Sequence, residues 1–267
     1  MSSKAERIPR AARYFYEIHR DKKPLPPTPA EIRDASLDEA YAIQEALHGL
    51  FLPERGAIAG YKIAITTPVM QQLMGIDQPC AGAIFASMVH RSPATLRAAD
   101  YGRVAVECEI AVRLGADLPA RSRPYAREDV AAAVEACIPA IELIEDHACD
   151  AYKAVGARGL IANNAWNAGC VLGPAVSDWR GLDLAQISGA MTINGREIGR
   201  GRGGDVMDGH PFNALAWVAN TVASRGRPLQ RGMVVLTGSV VSTQWPGAGD
   251  SVAVSFAGLG EASVRFV

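Results

Sequence analysis

Glu107 and Glu109 stand two residues apart in a run that otherwise reads as buried strand, Val104–Leu114, VAVECEIAVRL. Side chains alternate faces along a strand, so both carboxylates share one face while Val106, Cys108 and Ile110 take the other. Their neighbours on that face, Ala105 and Ala111, are not polar. Two acids side by side in apolar surroundings repel one another and are costly to desolvate without a counter-charge. A divalent cation would supply it, and oxygen donors suit Mg2+ or Mn2+. The competing reading is a strand with one solvated face.

Two more charged residues extend the pattern. Ala140–Ile144 reads as a strand, and it sets Glu142 on the face opposite Ile141 and Leu143, a third carboxylate in apolar sequence. Lys62 lies between Tyr61 and Ile63 in a strand-like stretch, residues 58–65. It reads either as an edge lysine or as one partly buried beside an anion, with its pKa tuned for proton transfer or for substrate charge.

Other motifs carry less. Thr237-Gly238-Ser239 closes a strand, where small polar residues often line a site. His210 precedes a helix and reads as a capping, packing or catalytic histidine. Residues 199–204 spell GxGxxG, but no helix opens there and no acid follows about 20 residues on, so we read a mobile glycine-rich loop. A GxSxG elbow and a His/Cys zinc spacing are both missing from the sequence.

These residues need elements to position them. Ser36 and Glu39 form a capping box ahead of Tyr41, Ile43, Leu47 and Leu50, and a proline-rich connector precedes it. Residues 1–55 therefore read as a helical segment with too little apolar mass to fold alone, packed on a β-rich catalytic domain, 56–267. Thr67-Pro68 starts a short helix that ends at Gly75. Arg127–Cys137 reads as an alanine-rich helix stopped before Pro139. Asn163, Asn164 and Trp166 form a polar loop before a short strand at 169–172. Asn194-Gly195 marks a type I′ hairpin, and 211–225 an amphipathic helix closed by Gly226. Strands follow at 233–237, 251–256 and 262–267.

Composition bounds the class. The chain has 267 residues, 27 basic and 28 acidic, which argues against nucleic acid or an anionic membrane as the main partner. No run approaches the ~18 apolar residues of a membrane span, and the first residues lack the apolar stretch of a secretion signal. The five cysteines are scattered without a CxxC pair, as expected of reduced core thiols in a cytoplasmic protein.

Taken in order, Gly60-Tyr-Lys62-Ile-Ala, Gly75-Ile-Asp77-Gln78-Pro79, Val106-Glu107-Cys-Glu109-Ile, Pro139-Ala-Ile-Glu142-Leu, Gly209-His210-Pro211 and Leu236-Thr237-Gly238 resemble one known group. It is the 2-keto-4-pentenoate hydratase and 4-oxalocrotonate decarboxylase group of the fumarylacetoacetate hydrolase superfamily, and the resemblance runs from about Asp38 to the C-terminus. The resemblance implies an α+β fold with a mixed, strongly curved β-sheet core and an N-terminal helical segment. It implies that Glu107, Glu109 and Glu142 hold Mg2+ or Mn2+, that Lys62 is the active-site lysine, and that Ser239 lines the substrate. The chain departs from the family where a second aspartate is expected and Cys80 stands instead, which leaves Asp77 or His147 to serve in proton transfer. Glu145-Asp146-His147 replaces a usual Asp-Ser-Arg run.

The implied reaction is addition of water to a 2-hydroxy-2,4-dienoate in the breakdown of aromatic-ring cleavage products. A 2-oxo-3-enedioate decarboxylase would use the same enolate stabilisation. It would also need a cation at the distal carboxylate, for which Arg200, Arg202 and His147 are candidates. An acylpyruvate hydrolase would need a Glu–His pair to activate water, and a silent structural partner would need no metal. Family members generally assemble, so a homo-oligomer is expected, with a decarboxylase or hydratase of the same pathway as a further partner.

Overall fold

The computed structural model describes residues 4–149 and 152–267. Along the chain come α1 (Lys4–Asp21), α2 (Ala30–Arg33), α3 (Leu37–Arg55), β1 (Ile58–Ala64), α4 (Pro68–Met74), β2 (Cys80–Phe85), β3 (Val89–Arg91), β4 (Ala94–Leu96), β5 (Val104–Leu114) and α5 (Arg127–Ala131). They continue with β6 (Val134–Glu145), α6 (Tyr152–Ala162), β7 (Asn167–Leu172), β8 (Ser188–Ile193), β9 (Arg196–Arg202), α7 (Pro211–Ser224), β10 (Val234–Ser239), β11 (Ser251–Phe256) and β12 (Gly260–Phe266).

The strands form two sheets. Seven run in the order β2-β1-β10-β5-β6-β7-β3, and five in the order β4-β12-β11-β8-β9. The first is mixed: β1 pairs with β10 in parallel and β3 with β7 in parallel, while the others are antiparallel. β5 and β6 are central, and their long pairing sets Glu107 opposite Glu142 and Glu109 opposite Ala140. The sheets meet through β5, β6 and β7 of one against β8, β11 and β12 of the other. Val106, Cys108, Ile141, Leu143, Val254 and Phe256 are buried there. This is the α+β, mixed-sheet architecture that the family resemblance implies.

The helices are placed by polar anchors as well as by apolar faces. The Ser36–Glu39 capping box is present, with both reciprocal bonds made, and starts α3. α3 packs on β2, where Gln44 Nε2 donates to the Ala81 and Ile161 carbonyls and Tyr41 Oη accepts from the Ala81 amide. α1 lies on α3, tied by Arg7–Glu39, and Arg10–Glu31 ties it to α2. Thr67 caps α4, and Gly75 ends it in the left-handed conformation that a residue with a side chain adopts at a cost. None of the helices among the described residues is long and apolar enough to cross a membrane.

Two elements differ from the sequence reading. The helix expected over 127–137 stops at Ala131, and from Val134 the chain becomes β6, which runs through Pro139. A proline is tolerated there because its nitrogen faces the β7 side just where β7 ends. The Pro139 carbonyl accepts from Gly173 on that side, beyond the last pair, Ala140–Leu172. The expected mobile glycine loop at 199–204 is mostly β9. Its glycines serve close packing: a Cβ at Gly201 would lie 2.0 Å from the Val240 carbonyl oxygen, and one at Gly199 2.4 Å from Val241.

Candidate active site

The three carboxylates converge. One oxygen from each of Glu107, Glu109 and Glu142 lies within 4.8 Å of the others. β5 presents the first two from alternate positions of one face, and β6 brings the third alongside through the Glu107–Glu142 pair. Glu109 and Glu142 are fully buried, whereas Glu107 is partly open to a cavity of about 500 Å3.

Each carboxylate has one oxygen held by a protein donor. Thr243 Oγ1 donates to Glu107 Oε1. The Gly238 amide donates to Glu109 Oε2 at 2.8 Å. Glu142 Oε1 accepts from Lys62 Nζ at 2.9 Å and from Asn167 Nδ2 at 3.1 Å. The remaining oxygens of the two buried glutamates, Glu109 Oε1 and Glu142 Oε2, have no hydrogen-bond partner. Buried oxygens without donors are costly, and a divalent cation satisfies several at once. The donor set is all oxygen and anionic, which fits a hard divalent cation. Glu107, Glu109 and Glu142 would be its ligands, and of the three Glu107 lines the cavity.

Local sequence explains how the donors arrive. β10 pairs with β5 through Leu236–Ala111, then slips register before Ser239–Glu109. In the slip, Thr237 Oγ1 donates to the Ile110 carbonyl and Gly238, at φ 107°, turns its amide to Glu109. A glycine is needed there, since that φ disfavours any side chain. Asn167 begins β7, and its Oδ1 accepts from the Gly169 amide while its Nδ2 faces Glu142. The loop before it is fixed by Asn164, whose amide bonds both the N–H and the carbonyl of Ala83 and also meets His48 Nε2.

The electrostatics are strongly coupled. Burial, then the charges of Glu142 and Glu107, push Glu109 well above the ordinary carboxylate range, against Lys62 and the Gly238 amide. Burial and then Glu142 raise Glu107 also, against Lys62 and the Thr243 hydroxyl. For Lys62, burial acts to lower the pKa, but Glu142, Glu107, the hydrogen bond to Glu142 and Glu109 outweigh it, and the net shift is upward. The lysine is an ammonium at neutral pH. Three carboxylates thus share one buried cation, and in the metal-free site their crowding favours protonation of Glu109 and Glu107.

The cavity opens from this cluster. Lys62, Glu107, Ser239 and Thr243 line its inner end, and Met70, Met74, Leu160 and Trp166 are among its apolar walls. Ile65, at φ 58°, bends the chain around it and is held by Gln71 Nε2 on its carbonyl.

Several sequence candidates fall elsewhere. Asp77 is exposed in the turn after α4 and does not line the cavity. His147 is buried against His19, with ring centroids 4.4 Å apart, and it too is not a lining residue. Its backbone, at φ 52°, turns it off the end of β6 and away from the face that carries Glu142. Arg200 and Arg202 are exposed, with Arg200 paired to Glu197, and neither lines the cavity. Cys80 is fully buried beside Lys62, and burial pushes its thiol up to about 12, so it is a neutral group. Ser239 does line the cavity, but its hydroxyl bridges backbone, accepting from Cys108 N and donating to the Val241 carbonyl. His210 caps α7 through Nδ1, which accepts from Phe212 N. The sequence reading missed Asn167 and Thr243, ordinary polar residues that only the fold brings to the carboxylates.

The C-terminal model of fumarylacetoacetate (FAA) hydrolase matches residues 81–267. The chain belongs to the fumarylacetoacetate hydrolase family. Relatives of this hydrolase-family chain include the 2-keto-4-pentenoate hydratase of Paraburkholderia xenovorans (strain LB400), 30% identical over 257 residues that cover 96% of this chain and 93% of that protein. The 2-hydroxyhexa-2,4-dienoate hydratase of Comamonas testosteroni is 33% identical over 256 residues, 94% of each. Among solved structures, the 4-oxalocrotonate decarboxylase from Pseudomonas putida G7, complexed with magnesium and adipate, superposes with a TM-score of 0.91. It covers 100% of this chain and 99% of its own at 23% identity, a level that establishes the shared fold of this family member.

Proposed function

We propose that this protein is a metal-dependent hydro-lyase that adds water to a 2-hydroxy-2,4-dienoate, or its 2-oxo tautomer, to give a 4-hydroxy-2-oxo acid. The observation that carries the reading is the carboxylate triad with one oxygen of each glutamate held by a protein donor and two buried oxygens unpartnered, beside a buried lysine and open to a cavity. Hydratases of this reaction class are among its near full-length relatives.

Bound Mg2+ or Mn2+, held by Glu107, Glu109 and Glu142, would supply Lewis-acid stabilisation of enolate charge. Lys62 is the proton carrier: as an ammonium at the inner end of the cavity it delivers a proton to C5 and regains one from the C2 enol oxygen. The resulting 2-oxo-3-enoate takes water at C4, with the accompanying proton going to C3. Glu142 holds Lys62 by the 2.9 Å contact, and Asn167 holds Glu142.

Two competing reactions have less support. Decarboxylation of an enedioate calls for a cation at the far end of the substrate. Among the described residues, Lys62 is the sole basic group lining the cavity, and it is paired with Glu142. Acyl hydrolysis calls for a Glu–His pair at the substrate. His147 Nδ1 lies 3.7 Å from Glu145 Oε1, but neither residue lines the cavity.

The test is an ultraviolet assay with 2-hydroxypenta-2,4-dienoate, with Mg2+ present and then chelated. Metal-dependent loss of dienol absorbance, with a product heavier by one water, is expected. Release of carbon dioxide from the carboxylated analogue with no hydration, or cleavage of an acylpyruvate, would overturn the reading. We also propose that the protein is a homo-oligomer, since β2, β3, β4 and β9 are edge strands. Analytical ultracentrifugation tests this.

A further inference from the structure

We infer that the site prefers dienoates whose C5 carries an uncharged hydrocarbon tail of several carbons, seated between α4 and α6, over both the unsubstituted five-carbon acid and any diacid. The chemistry of the head group rests on the hydratase reading; the tail preference rests on the cavity.

Strands and helices both contribute to the cavity wall. Of the charged site residues, Glu107 on β5 and Lys62 on β1 line it. Other elements supply an apolar wall: Met70 and Met74, one turn apart on α4, Leu160 on α6 and Trp166 before β7. Met74, Leu160 and Trp166 are buried, so this wall is a formed surface. α4 is clamped to α6 by Arg158 Nη1, which donates to the Gly75 carbonyl at 3.1 Å, at the end where α4's free carbonyls gather.

Size points the same way. A volume of about 500 Å3 would hold on the order of fifteen waters at about 30 Å3 each. A five-carbon acid bound at Glu107 and Lys62 leaves most of that water against Met70, Met74 and Leu160, whereas a hydrocarbon tail displaces it favourably. Methionine walls tolerate varied tail shapes, because the side chain is unbranched and polarisable.

Charge excludes the alternative tail. Beyond Lys62 and Glu107, the one charged residue lining the cavity among the described residues is Asp205, an exposed acid whose Oδ2 accepts from the Arg202 amide. Among the described lining residues there is no second cation to meet a carboxylate at the end of a substrate.

Binding of unreactive saturated 2-oxo acids to the Mg2+-loaded protein isolates the tail from the reaction. We would titrate 2-oxopentanoate, 2-oxooctanoate and 2-oxooctanedioate calorimetrically, alongside turnover of the corresponding 2-hydroxy-2,4-dienoates. Each buried methylene is worth about fourfold, so 2-oxooctanoate should bind at least about tenfold tighter than 2-oxopentanoate and tighter than the diacid. Met70→Arg, at a half-buried position, should reverse the order of octanoate and octanedioate. Equal affinities, tighter binding of the diacid by the wild type, or no binding of any 2-oxo acid would overturn the inference. Tail-dependent binding with no turnover of any dienoate would instead overturn the hydratase reading and leave the tail assignment standing.

Discussion

Glu109→Gln should stabilise the metal-free protein and abolish its response to Mg2+. Glu109 lies within 4.8 Å of both Glu107 and Glu142 by one oxygen each, and one buried ammonium, Lys62, faces all three. At an effective dielectric of about 20, two charges at that distance interact by about 3 kcal/mol. Two repulsions offset by one attraction leave a net cost of roughly 3 kcal/mol at neutral pH, expressed either as repulsion or as uptake of a proton. The amide keeps the bond from Gly238, because its oxygen can accept where Oε2 does. Relief of that cost should raise the metal-free melting temperature by roughly 6 °C, at about 2 °C per kcal/mol for a chain of this size. The wild type should gain stability on adding Mg2+, and more at pH 7.5 than at pH 5.5. Glu107 and Glu109 have raised pKa values in the folded state, so between their unfolded values and their folded ones the native protein holds extra protons, which the cation must displace. Scanning calorimetry with Mg2+ and with a chelator at both pH values measures all of this. A variant that melts below the metal-free wild type, or still gains stability from Mg2+, would refute the ligand assignment and the electrostatic reasoning together.

Asn167→Ala should weaken Mg2+ binding about 10-fold, because Glu142 loses one of the two donors that orient it, Lys62 being the other, while all three ligands remain; titration calorimetry reads the change. Cys80→Ala should leave the pH–rate profile between pH 6 and 9 unchanged, since a thiol held up near 12 does not titrate there, and a shifted limb would show that Cys80 takes part in proton transfer. Acid should destabilise the fold through His19 and His147. Burial holds both below the ordinary value, His147 at about 4, so the unfolded chain takes up protons first as pH falls below about 6.5. Stability should fall through that window, by about 3 kcal/mol for His147 alone once pH is below 4, and His19→Gln should flatten the pH dependence in denaturant titrations.

The metal ligands were legible because a strand's alternation is local: Glu107 and Glu109 share a face whatever β5 pairs with, and the burden of three acids in apolar sequence is visible without coordinates. Ser36–Glu39, Thr67-Pro68 and Asn194-Gly195 were legible for the same reason, since caps and tight turns are set by a few adjacent residues. What failed depends on partners distant in sequence. The segment after Ala131 has helix-forming composition, yet it lies between β5 and β7, where pairing overrides propensity. Residues 199–204 carry loop-like glycines that close approach to Val240 and Val241 turns into strand. Asp77 and His147 sit near site residues in sequence, but a turn and a left-handed backbone carry them off it. Asn167 and Thr243 gave no signal, because a single polar residue becomes a positioning group only when the fold brings it to a carboxylate.

The cation's ligands and the apolar wall of the cavity belong to different parts of the molecule. Glu107, Glu109 and Glu142 sit on the two central strands of the larger sheet, while Met70 and Met74 sit on a seven-residue helix whose other side leaves Val69 and Leu73 in solvent. Mutations at half-buried Met70 therefore meet less opposition from the core than mutations at the buried positions of β5 or β6. Under selection, such a chain can drift in the tails it accepts while its reaction is conserved, so new substrate ranges would be sought first by randomising the inner face of α4.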